Sequence, residues 1–310
     1  MKNIFLFGEC MVELMTTARS PLANTMKQSF AGDVFNTAVY LKRTFSQAKV
    51  HLVTAVGKDE FSLDMIQYFE KESIGTDFVF QSDDKIPGLY SIQLDDAGER
   101  SFTYWRENSA ARSVMSFIND DISQQFNPGD VFFFSGISVG VVKPDDRDKF
   151  WHFVNQLKDA GITIVFDLNY RPKLWASEDE ARDQFRLAFQ AADILLPGVD
   201  DFAAIFALDD VEAIIAFFAQ YDYQELVIKN GDKNVYCISA DGQEIVDVTP
   251  VAKVVDTTSA GDSFNGGYIS ARLAGKSIAD AVEFANQVAG FVIQHPGAIV
   301  DPAAFSARFN

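Results

Sequence analysis

Val254-Val255-Asp256-Thr257-Thr258-Ser259-Ala260-Gly261-Asp262-Ser263-Phe264-Asn265-Gly266-Gly267 is the stretch around which the chain is organised. A polar segment tightens into small residues and then opens a helical pattern. Successive main-chain N–H groups in a turn leading into a helix make an anion site, because the amides and the helix dipole aim partial positive charge at one point. Asp262 stands at the mouth of that helix, where a carboxylate is placed to take a proton. An Asp at a helix start is also favoured by capping and by the dipole. The stretch alone leaves both readings open.

Outward from it, the chain alternates short apolar runs with amphipathic ones. Ile4–Phe7, Val50–Val56, Val131–Ser135, Thr163–Asp167, Ile194–Leu196 and Glu225–Lys229 read as buried strands. Helical patterns lie over 61–72, 144–160, 178–192, 211–221, 261–273 and 277–295, and one opens at Gly32-Asp33, where Val34, Ala38 and Leu41 share a face. This alternation predicts an α/β fold: a doubly wound, mostly parallel sheet flanked by helices. Two segments break the rhythm. Residues 11–29 are irregular and polar, and read as short strands or loop. Residues 88–94 and 100–106 alternate at period two around a turn at Asp95-Asp96-Ala97-Gly98, as a hairpin does. The expectation is one domain over 1–310 carrying a small β-sheet lid, with lid strands at about 12–30 and 86–107. Asn234–Ser239 and Glu244–Val248 read as a second hairpin. No internal repeat or low-complexity linker divides the chain.

Composition narrows the function. The net charge of −18, from 44 acidic and 26 basic residues, argues against nucleic acid and against anionic membrane surfaces. A small anionic ligand would need a local positive patch working against that field. Two distant cysteines, Cys10 and Cys237, make neither a disulfide framework nor a zinc spacing. The N-terminal apolar run is too short for a signal segment and ends at Glu9, so a cytoplasmic protein is expected. Strand ends at Asp167–Pro172, Lys229–Asp232 and Asp256–Asp262 gather polar residues and glycines, and ligands of open α/β sheets bind beyond such ends. Polar loops are ordinary there, but three together point to a shared cleft.

The dinucleotide fingerprint G-x-G-x-x-G is absent, which disfavours a nicotinamide-dependent oxidoreductase. Ser270–Ser277 approaches a Walker A loop, but its first half lies inside a helical pattern. Gly275-Lys276-Ser277 reads as a helix junction with Ser277 as N-cap. The 256–264 stretch, in contrast, resembles the C-terminal signature of the ribokinase-like (PfkB) sugar kinases. Gly32-Asp33-Val34-Phe35-Asn36-Thr37-Ala38 resembles their N-terminal sugar-binding motif. Similarity runs from Phe5 to Ile299. Pro87–Tyr90, Tyr104–Arg106 and Asp167–Trp175 are most similar to the members acting on the sugar acid 2-keto-3-deoxygluconate.

The resemblance implies ATP-dependent phosphorylation of the terminal hydroxyl of that acid, with Mg2+ and a monovalent cation near Asp256 and Thr258 as companions. Asp262 would be the base, and the backbone of Ser259, Ala260, Gly261 and Asp262 the anion hole. Gly32, Asp33, Asn36 and Tyr90 would face the sugar. Tyr104 and Arg106 from the lid, and Arg171 from a strand end, would meet the acid group. Asn169, Lys229, Gly231, Gly261 and Asn286 would approach the nucleotide. Two departures stand out. Ser259 replaces a common glycine, and Gly198-Val199-Asp200-Asp201 replaces the family's Asn-x-x-Glu, leaving Asp201 as the one metal candidate. On the lid strand Tyr104 shares the parity of Arg106 and faces inward, while Trp105 faces away. An exposed lid sheet suits a homo-oligomer. The competing readings are a neutral-sugar kinase such as a fructokinase, in which Arg106 is solvated and Arg171 pairs with Asp167, and a non-catalytic sugar-binding regulator.

Overall fold

The computed structural model describes residues 2–19, 24–94 and 100–309. The chain opens with β1 (Asn3–Phe7), then makes β2 (Met11–Arg19), β3 (Asn24–Ala31), α1 (Asp33–Thr44), β4 (Lys49–Val56), α2 (Glu60–Lys71) and β5 (Val79–Gln81). It continues through β6 (Leu89–Leu94), β7 (Arg100–Trp105), a 3-10 segment over Ala110–Ser116 and the single turn α3 (Asp120–Ser123). The regular alternation follows: β8 (Val131–Ser135), α4 (Gly136–Val141), α5 (Arg147–Asp159), β9 (Thr163–Asp167), α6 (Glu178–Ala191), β10 (Ile194–Leu195), α7 (Val199–Phe206), α8 (Val211–Phe218) and β11 (Glu225–Ile228). The chain closes with β12 (Asn234–Ser239), β13 (Gly242–Asp247), α9 (Ala260–Leu273), α10 (Ile278–Val292) and α11 (Pro302–Phe309).

The main sheet has the order β13-β12-β11-β10-β9-β8-β1-β4-β5, antiparallel only at β11-β12 and β12-β13. Period-two alternation sorts its side chains into two layers. Phe5, Phe7, Phe132, Phe134 and Phe166 face α5 to α8, with Phe150, Phe153, Phe185 and Phe189 packed on them. Ile4, Leu6, Val131, Phe133 and Val165 face α1, α2, α9 and α10. The largest share of the phenylalanines therefore lies on the α5–α8 side of the sheet, with Phe35, Phe69, Phe133 and Phe264 on the other. The strand order reverses between β1 and β8, which opens a crevice at their carboxyl ends.

The second sheet has the order β3-β2-β6-β7, with β2 and β6 parallel. The lid strands expected at about 12–30 are β2 and β3, longer than the short strands or loop that the irregular sequence suggested. Their polar residues mark a sheet with one covered face, and β6 supplies the partner that the local sequence does not reveal. The expected turn at Asp95–Gly98 lies outside the described residues. Strand β5 and helices α4 and α7, at 3, 6 and 8 residues, were too short to stand out from their flanks. Gly275-Lys276-Ser277 is a helix junction, with Ser277 Oγ accepting from Asp280 N at 3.1 Å.

Helix α9 is the most enclosed helix near the crevice, buried from Asp262 to Ala271 between α1 and α10. Gly266 makes this possible. A Cβ there would lie 2.7 Å from Thr37 O and 2.8 Å from Leu41 N, both backbone atoms of α1. At its far end, Tyr268 and Arg272 donate to the buried Glu225 at the start of β11, Arg272 Nε to Oε1 at 3.0 Å. Gly266→Ala should lower stability in urea denaturation by ~1–2 kcal/mol, because overpacking outweighs the gain in helix propensity. Wild-type stability in that variant would mean that α1 and α9 do not touch here.

Candidate active site

The site is assembled at the crevice from the ends of β1, β8, β9 and β11, the N-termini of α1 and α9, and the second sheet. Gly32 lets the chain re-enter closely, since a Cβ would lie 2.3 Å from Glu9 O. Helix α1 then starts with Asp33 over the crevice and presents Asn36 one turn later. Asn36 Nδ2 donates to Asp262 Oδ2 at 2.9 Å, and Ser259 Oγ donates to the same oxygen at 3.1 Å. Ser259 has φ −118°, so a side chain at this turn costs no strain.

Asp262 is 8% exposed. Burial, and then the charge of Asp33, push its carboxyl up to about 7. The Asn36 bond opposes this, Asp167 adds to it and the Ser259 bond opposes it again. Burial also raises Asp33, against the hydrogen bond from Ser135 Oγ at 2.5 Å. Asn169 Nδ2 donates to the same Asp33 oxygen at 3.2 Å, from a backbone with φ +30°. Of the four amides expected in the anion hole, that of Ala260 turns back to Thr257 O at 3.1 Å. Those of Ser259, Gly261 and Asp262 have no acceptor among the described residues and open onto the crevice.

Lys229 follows β11 and pairs with Asp167 at 2.9 Å. Asn265 joins them, donating to Asp167 Oδ2 at 2.8 Å and accepting from Lys229 Nζ at 3.2 Å. Lys229 Nζ also lies 4.0 Å from where a Cβ on Gly261 would stand, which places a cation beside the free amides. Gly231, at φ +60°, makes a turn that favours glycine. Asn286 Nδ2, on α10, is buried without a hydrogen-bond acceptor among the described residues. Asp256 braces the loop before α9, accepting from Thr258 N at 3.1 Å and from Gly297 N at 2.6 Å.

From the second sheet, Tyr90 pairs in register with Glu13 and Tyr104. Its hydroxyl donates to Glu13, which also accepts from Ser29 Oγ at 2.7 Å. Tyr104 stacks on Tyr90 at 5.7 Å, and the Arg106 guanidinium lies 5.9 Å from the Tyr104 ring centre. Trp105 points to solvent at 58% exposure. Arg106 Nη2 stands 2.5 Å from Glu9 Oε2 as an ion pair without hydrogen-bond geometry, so its Nε and Nη2 donors have no acceptor among the described residues. Ser109 Oγ donates to the other Glu9 oxygen.

Arg171 takes a different position from Arg106. Its side chain is 56% exposed, 3.4 Å from Asp201 Oδ1 and bonded to Tyr170 O at 2.7 Å. The alternative Asp167 pairing does not form, because Lys229 and Asn265 occupy that carboxylate. Asp201 is pushed up to about 6, by burial first and then by Asp167, with Arg171 and Lys229 opposing. Glu9, Glu13, Ser109, Ser135 and Asn265 were not anticipated. Glu9 alone had a visible signal, an acid placed directly after a fully buried apolar strand. The assembled groups can hold an anion at the start of α9 and remove a proton from a hydroxyl beside it.

A family model described as pfkB family carbohydrate kinase matches residues 1–304. The chain is 38% identical to the 2-dehydro-3-deoxygluconokinase of Haemophilus influenzae over 320 residues, covering 100% of both proteins. It is 36% identical to the enzyme of the same name from Escherichia coli over 313 residues, 99% of each. The crystal structure of fructokinase with bound ATP from Xylella fastidiosa has a TM-score of 0.80 at 24% identity, over 97% of this chain and 94% of that one, a likeness of fold.

The Asp262 carboxyl has a stability consequence. A carboxyl that titrates higher in the folded state than its unfolded value of about 3.9 binds protons more tightly when folded. Its contribution to stability is present at low pH and is lost as pH rises from about 4 through about 7. Asp262→Asn should therefore melt above the wild type at pH 8, with the difference shrinking toward pH 5. An equal gap at both pH values would contradict the shift.

Proposed function

The chain belongs to the pfkB family of carbohydrate kinases, and on that premise we propose that it transfers a phosphoryl group from ATP to the terminal hydroxyl of 2-dehydro-3-deoxygluconate. Membership makes it a sugar phosphotransferase. The reading of the substrate rests on full-length relatives of that name and on one observation above all: a buried carboxyl, tuned to about 7, at an anion-binding helix start that faces a basic wall.

A sugar hydroxyl becomes a competent nucleophile when a base takes its proton, and Asp262 is the base in this reading. Phosphoryl transfer needs alignment and charge neutralisation rather than covalent help. The amides of Ser259, Gly261 and Asp262 and the ammonium of Lys229 supply the neutralisation. Gly32, Asp33, Asn36 and Tyr90 line the sugar, and Asn36 orients the base through its 2.9 Å bond. Asn169, Gly231 and Asn286 flank the nucleotide, the orphaned Asn286 Nδ2 suiting an acceptor on a base. Arg106, with its free donors, and Tyr104 receive the acid group, and Arg171 stands further out.

Magnesium carried with a nucleotide is held mainly by phosphate oxygens and water, with one or two carboxylates from the protein. The residues present fit that limited demand. Asp201, whose carboxyl burial and Asp167 raise, would gain most from a cation. The metal would supply charge neutralisation on the phosphates.

Asp262→Asn should keep sugar binding and lose about 10²–10⁴-fold in turnover, while wild-type kcat/KM should climb with pH through about 7 as the carboxyl ionises. Near-normal turnover in the variant would rule out the base assignment. A substrate panel tests the acid group: Arg106→Ala should weaken 2-dehydro-3-deoxygluconate by about 10-fold or more and fructose far less. Equal losses would point to a neutral-sugar kinase.

A further inference from the structure

Of the four arginines Arg106, Arg112, Arg147 and Arg171, three are committed. Arg106 is paired with Glu9, Arg171 with Asp201, and Arg147 with Glu180 at 2.5 Å while lying over Trp175. Arg112 is the fourth. It is half-buried, and its guanidinium makes no hydrogen bond, ion pair or ring contact among the described residues. Its place in the fold is defined by the connection that follows β7. Ser109 N donates to Arg106 O at 3.1 Å, and Arg112 N donates to Ser109 O at 3.2 Å. Arg106 and Ser109 both hold the Glu9 carboxylate. Arg112 thus sits one tight turn beyond the pair.

A guanidinium taken partly out of water without a partner is costly, and such groups concentrate where a ligand supplies the missing charge. The field around Arg112 carries the cost. Burial pushes its affinity for the proton down, Glu9 opposes this, Arg106 and Arg147 add to it, and Glu107 on the exposed loop opposes it weakly. Counting charges on the buried wall, Glu9 and Arg106 cancel. The unspent positive charge is that of Arg112, and one carboxylate neutralises it.

We infer that Arg112 is a specificity-determining residue, which with the free donors of Arg106 receives the carboxylate of the sugar acid. The assignment rests on the sugar-acid reading above. Glu9 then has a positioning role: it holds Arg106 in place with its charge already balanced, so that the second arginine carries the preference for an acid over an alcohol.

The test compares the acid with the corresponding C1 alcohol, 3-deoxyfructose, in wild type, Arg112→Gln, Arg112→Lys and Arg186→Gln, the last removing an exposed α6 arginine paired with Asp183. Arg112→Gln should raise KM for the acid by about 10- to 100-fold and lower the acid-to-alcohol ratio of kcat/KM by the same factor. Arg112→Lys should recover part of the ratio, and Arg186→Gln should leave it in place. Calorimetric titration of the acid into the same proteins should follow KM. An Arg112→Gln that lowers both substrates equally, or lowers only the melting temperature, overturns the inference and leaves the sugar-acid reading intact. A wild type that does not prefer the acid removes both.

Discussion

The site depends on the contact between α1 and α9 at Gly266. No atom fits between that Cα and the backbone of α1, so the two helices lie at the smallest separation their main chains allow. That separation lets the short Asn36 side chain, from one helix, reach Asp262 on the other at 2.9 Å. A base for phosphoryl transfer has to be held while its protonation state changes. Here the orientation comes from a neutral amide and a hydroxyl, which bond a carboxylate without cancelling its charge. Backbone packing sets the geometry, and burial and neighbouring carboxylates set the proton affinity.

The second constraint is electrostatic. Asp33, Asp167, Asp201 and Asp262 are crowded at the crevice of a chain whose net charge is −18. Each is managed separately. Asp167 is neutralised by Lys229 and bonded by Asn265, Asp201 is met by Arg171 and a main-chain amide, and Asp33 accepts from Ser135 and Asn169. Among the described residues Asp33 and Asp262 have no cation in contact, and both carboxyls are raised by burial, that of Asp262 to about 7. Asp167 and Asp201 have each been given a positive partner, and Asp33 and Asp262 have been given neutral donors instead. The start of α9, with Lys229 beside it, and the cations Arg106 and Arg112 are local exceptions to the negative field, which the proposed pair of anionic substrates would require.

The main sheet was legible because β1, β4, β8 and β9 are continuous apolar runs, which few structures other than buried parallel strands can use. The stretch at 256–267 was legible as a turn opening a helix, and its serine proved harmless because the turn there has negative φ. The pair β2-β3 was legible as lid strands at about 12–30 but not in its length or its pairing with β6, since one polar face and a distant partner strand leave no strong local period. The partner of Arg171 was hidden for a related reason. Asp201 reaches it from α7, a short helix whose N-cap is Gly198, with no side-chain capping bond to announce it. Glu9, Ser109 and Arg112 belong to one cluster only after β2 and β6 pair in parallel, a long-range register that spacing along the chain does not encode.

The attachment of Tyr268 and Arg272 to Glu225 gives the far end of α9 a meaning for the near end. Helix α9 and strand β11 are cross-tied twice, by Lys229 and Asn265 at the crevice and by Glu225 with Arg272 at the opposite edge of the sheet. The two elements form a braced frame rather than a rod resting on a plate. A shear of one residue along the helix, about 1.5 Å, would break both ties together. The Asp262 carboxyl therefore keeps its register by anchorage at a point remote from the crevice, and mechanical tolerance at the mouth of the helix is set in part at its base.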